Sequence, residues 1–263
     1  MKKTIFLATL MLFVLPVIGM AQSALSGTWK FRLDNAQFAK KPDVYLLQNG
    51  TYECKTRAPP ITVKADGQDH GVTGYPYFDS MAVKIVDDHT IEQTTKKAGK
   101  VVGTSKTTVA SDGNTRRFEF SDSSFTNASP VTGKGEETRV AKGPSGSHAI
   151  SGSWRTAKLD NISDNGLFVT YKVEGDALSM SNPTGQSCTA KLDGSDAPYK
   201  GDPGTTSVSV KKLSDNAVEE TDKRDGKVIG IYKIIVAPDG KTLTVDVDHK
   251  LHGTTSKFTA EKQ

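Results

Sequence analysis

One stretch near the C-terminus constrains this chain most, because it occurs twice. Ser214 to Val245 reads as three short strands joined at Asp225-Gly226 and Asp239-Gly240. Both dipeptides supply the positive φ angles that tight hairpin turns demand. Val86 to Gly103, continuing to Gly113, carries the same pattern, with Lys106 standing where Lys233 does. The register holds at one offset of 127 residues from Gly74 (matching Gly201) through Gly113 (matching Gly240). Upstream, Ser26-Gly27-Thr28-Trp29 is answered by Ser151-Gly152-Ser153-Trp154. An unbroken register this long does not come from shared composition, so the chain reads as an internal repeat.

Each repeat is a series of short alternating segments with little room for helices. Period-two alternation is clear in Val228/Gly230/Tyr232/Ile234/Val236 and in Leu243/Val245/Val247. Asn49-Gly50 adds a further hairpin signal. Lys106 and Lys233 fall on the opposite register and are expected to face solvent. A meander of eight to nine antiparallel strands closes most readily into an up-and-down barrel, which removes exposed sheet edges. The expected fold is therefore all-β, with two tandem up-and-down antiparallel β-barrels. Residues 143–148, rich in Gly, Pro and Ser, read as a linker between repeats at 24–142 and 149–263. One joint β structure built from both halves remains the alternative.

The first residues speak to compartment. Met1-Lys2-Lys3 is a positive start, Thr4 to Ile18 is apolar, and Gly19-Met20-Ala21 offers small residues for cleavage. Residues 1–21 are thus expected to be a signal peptide cut after Ala21, leaving an exported chain, periplasmic or secreted, with no transmembrane span. The formal charge of +4 includes Lys2 and Lys3. Such a near-neutral, interspersed balance gives no case for nucleic acid as a partner. In an oxidising compartment Cys54 and Cys188, one per repeat, can pair as a disulfide; two separate buried thiols are the alternative.

Ser26-Gly27-Thr28-Trp29-Lys30-Phe31 resembles the Gly-x-Trp opening of the lipocalin and fatty-acid-binding (calycin) barrels. The longer pattern at Asp193 to Asp196, Gly201 to Pro203, Asp215 to Val228 and Val236 to Thr242 resembles lipocalin-like domains of secreted bacterial proteins without assigned activity. The resemblance covers both repeats. It implies that Trp29 and Trp154 close the barrels and pack in their cores. Neither a Thr-Asp-Tyr signature nor a late arginine to cover the tryptophan stands out.

Catalytic motifs are missing from the sequence. It holds no Gly-x-Ser-x-Gly, no His-Glu-x-x-His and no phosphate loop. The chain is therefore read as a non-enzyme, with no cofactor and no metal. His249 and His252, three apart, would face opposite sides of a strand. Asp66, Asp69, Asp193 and Asp196 accompany turn glycines and read as turn hydrogen-bonding groups. The informative positions are those where the repeats disagree. Tyr75, Tyr77 and Phe78 form an aromatic loop where the second repeat has Asp202, Gly204 and Thr205. That loop is either a lid or inter-repeat contact, or a recognition surface. Tyr171 and Tyr232 are candidates to line the second interior. The expected function is binding without catalysis: a small apolar or amphipathic ligand inside a barrel, or else a protein partner held by exposed loops.

Overall fold

The structure, a computed structural model, describes residues 23–125 and 129–263. The segment read as a signal peptide lies outside the described residues. Twenty strands and one 3-10 turn (Asp164–Gly166) make up the described chain. In order the first ten are β1 (Gly27–Gln37), β2 (Asp43–Gln48), β3 (Thr51–Cys54), β4 (Ile61–Lys64), β5 (His70–Gly71), β6 (Ser80–Asp87), β7 (Thr90–Lys97), β8 (Lys100–Val109), β9 (Thr115–Asp122) and β10 (Val131–Lys142). The second ten are β11 (Gly152–Ile162), β12 (Phe168–Glu174), β13 (Ala177–Ser181), β14 (Ser187–Lys191), β15 (Asp193–Lys200), β16 (Ser207–Ser214), β17 (Ala217–Arg224), β18 (Lys227–Val236), β19 (Thr242–His249) and β20 (Thr254–Lys262).

These strands form two antiparallel barrels of ten, one or two strands more than the eight to nine expected. Barrel 1 runs β4-β3-β2-β11-β10-β9-β8-β7-β6-β5 and is nearly closed; an isolated bridge from Asp66 to Lys84 spans the seam. Barrel 2 is fully closed and consists of β1 with β12 to β20. The hairpins follow their turn residues. Asn49-Gly50, Ala98-Gly99 and Asp225-Gly226 each place two successive residues at positive φ, from 49° to 79°, as a two-residue turn requires. Asp239-Gly240 differs from the expectation, since only Gly240 is positive, at 68°. The amide of Gly240 there bonds the Ala237 carbonyl, making a longer loop. Lys106 and Lys233 are both exposed.

The opening strand of each repeat completes the other repeat's barrel. In barrel 2, β1 pairs with β12 (Thr28 opposite Thr170) and with β20 (Trp29 opposite Lys262). In barrel 1, β11 pairs with β2 (Ser153 opposite Val44) and with β10 (Trp154 opposite Arg139). Residues 43–162 thus build barrel 1 without interruption. Barrel 2 is assembled from 27–37 and 168–262, so 24–142 and 149–263 divide the sequence but not the barrels. The connection between β10 and β11 explains this. Lys142 pairs with Gly152, so β10 turns back directly into β11 as a hairpin. The segment read as a linker is a tied turn, with the Ser147 hydroxyl on the Pro144 carbonyl at 2.7 Å and the His148 amide on the Leu47 carbonyl at 2.9 Å.

Each tryptophan is fully buried, with its indole N–H on a backbone carbonyl four residues earlier. Trp29 bonds Leu25 at 3.0 Å in barrel 2, and Trp154 bonds Ile150 at 2.9 Å in barrel 1. Around Trp29 pack Leu178, Val210, Ile234 and Leu243; around Trp154 pack Leu47, Val83 and Ile91. At about 25 cal/mol per Å², an indole burying roughly 200 Å² contributes about 5 kcal/mol to its barrel. A covering arginine also exists. Arg139 lies 3.9 Å over Trp154 and donates to the Ser151 and Ala149 carbonyls at 2.6 and 2.7 Å. In barrel 2 the residue opposite the tryptophan is Lys262, 5.1 Å from its ring. The strand exchange hid this pairing, because Arg139 covers the tryptophan of the other repeat.

Cys54 and Cys188 are free and buried, so the disulfide read as one option is not formed. Each thiol belongs to a different core, Cys54 beside Ile61 in barrel 1 and Cys188 beside Met180 in barrel 2. Burial raises the pKa of both, that of Cys188 to about 12, so neither is a reactive thiolate near neutral pH.

Candidate functional site

β2 pairs with β11 over only three residues, Gly152 to Trp154. Beyond Trp154, β11 leaves β2 and continues along β10. A cleft of about 420 Å³ opens at this fork. Its floor is the wall of barrel 1 at Tyr45, Cys54 and Trp154. The crossing segment from β1 to β2 (Phe38, Lys41, Asp43) forms one side, and barrel 2 supplies His249, His252 and Phe258 on the other. Phe38 and Phe258 meet edge to face at 6.3 Å, which keeps that side apolar. The site exists because of the exchange, since its walls come from both repeats.

The rim is basic. Lys41, Arg57 and Arg155 are exposed at the cleft, and none of them forms an ion pair among the described residues. Lys41 Nζ donates to the His252 carbonyl at 3.0 Å and Arg155 Nε to the Lys40 carbonyl at 2.8 Å, which fixes both chains without neutralising them. The one acid of the lining, Asp43, accepts from the Thr56 hydroxyl at 2.7 Å. His249 is half-buried, with Nε2 2.9 Å from Ser256 Oγ. Burial and then the neighbouring His252 lower its pKa, so it is neutral at pH 7. His249 and His252 sit on one cleft because the chain turns between them, the His252 amide bonding the His249 carbonyl at 3.1 Å. The sequence expectation of opposite strand faces fails there. An apolar, aromatic floor under unneutralised cations suits an amphipathic anion.

The expected site residues lie elsewhere. Tyr75 stacks on Phe78 (4.8 Å between centroids, 11° between planes), with Phe78 buried in the core of barrel 1. The Tyr75 hydroxyl donates to the Pro59 carbonyl. Tyr77 reaches out of this loop to barrel 2, where its hydroxyl donates to Asp202 Oδ1 at 3.0 Å. A Cβ on Gly204 would collide with that hydroxyl, so the glycine makes room for the crossing. Tyr171 and Tyr232 point into barrel 2 and pack against its core. Asp66 and Asp193 accept the amides of Gln68 and Ser195 at 3.0 and 2.8 Å, as turn residues do.

The residues of the cleft come from segments near 40, 55, 155 and 255, and no local motif links them. No family model and no curated protein matches the chain. Among the described residues no helix is long and apolar enough to cross a membrane.

Proposed function

We propose that the protein is an exported, non-catalytic binding protein that takes a small amphipathic acid at the fork between its barrels. The ligand's apolar tail lies on Tyr45, Phe38 and Phe258, over the buried Cys54 and Trp154, and its carboxylate meets Arg57, Arg155 and Lys41. The observation that carries this reading is the set of three cations without acidic partners above an aromatic floor. A cleft of about 420 Å³ is within the usual range for small-ligand sites. The alternative, a protein-interaction module acting through Tyr75, Tyr77 and Phe78, has less behind it. All three rings are engaged within the chain.

Calorimetric titration of the full chain with decanoate checks this reading. Saturable one-site binding is expected, weakened at least ten-fold by Arg57→Glu with Arg155→Glu, because the charge on the rim is reversed. Decanol, which keeps the tail and loses the charge, should bind more weakly than decanoate. Absence of saturable binding, or an affinity that ignores both arginines, sinks the reading.

A further inference from the structure

Barrel 2 contains two buried acids that no role so far described uses. β17 alternates, so that Val218, Glu220 and Asp222 face inward while Glu219, Thr221 and Lys223 do not. Glu220 is 7% exposed and Asp222 8%. Their strand neighbours are Val210 and Val208 on β16 and Tyr232 and Gly230 on β18. Glu220 Oε2 and Asp222 Oδ1 have no hydrogen-bond partner. No lysine or arginine pairs with either acid among the described residues. Arg224, next on the same face, donates instead to the Gly204 carbonyl at 2.7 Å. Buried carboxyl groups without a counter-charge are costly to keep.

Barrel 1 handles its interior differently. The register places Gln93 where barrel 2 has Glu220, since Val83 and Ser105 flank it as Val210 and Tyr232 flank Glu220. The buried acid of barrel 1, Glu137, is matched by Arg116. At the equivalent positions of barrel 2 stand Leu243 and Ala260. One interior is neutralised by a side chain, and the other is not.

Three tyrosines surround the unmatched acids. Tyr232 lies directly opposite Glu220, and its ring folds over Gly230, where a Cβ would be 3.0 Å from it. That glycine lies opposite Asp222, so the ring covers both carboxyl groups. Tyr171 and Tyr199 complete the lining, both packed in the same core. Burial first, and then the nearby Glu220 and Asp222, raise the pKa of all three phenols. Tyrosine faces attract cations, most strongly where water is excluded. Tyr77 of barrel 1 reaches the rim of barrel 2, where its hydroxyl donates to Asp202 Oδ1 at 3.0 Å.

We propose that the interior of barrel 2 binds a small organic cation, an alkylammonium, between Glu220, Asp222 and the rings of Tyr171, Tyr199 and Tyr232. The site is independent of the fork and of opposite charge preference. Burial raises the pKa of both carboxyl groups, so an ammonium ion entering below about pH 7 displaces a proton from the pair. Among the described residues, Tyr171, Tyr199, Tyr232, Cys188 and Asp202 face this site without positive charge, and Arg224, the cation on the same strand, is turned to the Gly204 carbonyl.

Calorimetry of the full chain with n-butylammonium at pH 6.5, in two buffers of different ionisation enthalpy, tests the proposal. Saturable binding with proton release is expected, at least ten-fold tighter than any binding of n-butanol. Glu220→Gln with Asp222→Asn should abolish both the binding and the proton release, while circular dichroism shows the barrel intact. Absence of saturable n-butylammonium binding overturns the proposal. So does equal binding by the Glu220→Gln/Asp222→Asn protein, or binding without proton release.

Discussion

Replacing Glu137 with alanine is expected to destabilise the protein by roughly 3–5 kcal/mol, the usual result of stranding a buried charge. Arg116 is 5% exposed and Glu137 8%, and the two are joined inside barrel 1. The guanidinium lies 4.4 Å from the Tyr45 ring and 4.8 Å from Trp154, so without Glu137 it faces two aromatic rings and no anion. Cation–π attraction recovers about 1–2 kcal/mol at most, less than the loss. Arg116→Leu with Glu137→Ala copies the Leu243 and Ala260 of barrel 2 and should regain most of the stability. Urea unfolding followed by tryptophan fluorescence measures both. A Glu137→Ala protein as stable as the parent would mean that the pair is solvated. Tyr45 and Trp154 also floor the fork, so this pair holds the proposed ligand site in shape.

The second large effect is a dependence on pH that runs opposite to ordinary acid denaturation. Burial raises the pKa of Glu220 from 4.5 to about 8, and Asp222 adds to the rise. Burial, with Asp202 contributing, raises Asp222 from 3.8 to about 7. Between those limits the folded chain holds protons that the unfolded chain has lost. The pair's contribution to stability is therefore fully present below about pH 4, is lost progressively as pH rises to the folded values of about 7 and 8, and changes little above them. His249, whose pKa is lowered from 6.5, works in the opposite sense on the acid side of that value. Comparison with Glu220→Gln/Asp222→Asn isolates the pair. That variant should melt roughly 5 °C or more above the parent at pH 8, and by a much smaller margin at pH 5. Calorimetric melting across pH 5–8 reads this directly. A parallel offset at every pH would show that the pair does not titrate in the fold.

Much of the fold is legible in the residues. Asn49-Gly50 and Asp225-Gly226 mark hairpins that form as read, and the alternation of Gly230 to Val236 sets the inward face of β18, while Val228, beyond a register shift, is exposed. The strand exchange was not legible, and the reason is symmetry. Thr28 and Ser153 belong to near-identical openings, so either can lie beside Thr170 or Val44 without changing the local pattern. The choice is made by the turn between Lys142 and Gly152, whose residues read simply as Gly/Pro/Ser linker. The fork was hidden for the same reason, since Arg57, Arg155 and His252 come together only after the strands cross. Glu220 and Asp222 did leave a signal. They continue the inward alternation of Val218, and the other repeat has Gln93 and Thr95 at those places. Attention to the repeats' disagreements along a strand, and not only in the loop after Gly74, finds them. Tyr171 and Tyr232, interior candidates by their place on the strands, lie in the same core as those acids, Tyr232 directly opposite Glu220.

The exchange underlies the fork and can be read in one chemical step. Thr28 Oγ1 and Thr170 Oγ1 are 2.9 Å apart across the β1–β12 pair, close enough for a disulfide once both are cysteine. In an unexchanged chain, Thr28 would instead lie beside Val44, the residue that pairs with Ser153. With Cys54 and Cys188 changed to serine, Thr28→Cys/Thr170→Cys should oxidise to an intramolecular disulfide, and Thr28→Cys/Val44→Cys should keep two free thiols. Mass spectrometry of the digested proteins decides between them. A bond in the second protein and none in the first would contradict the exchange, and with it the origin of the fork.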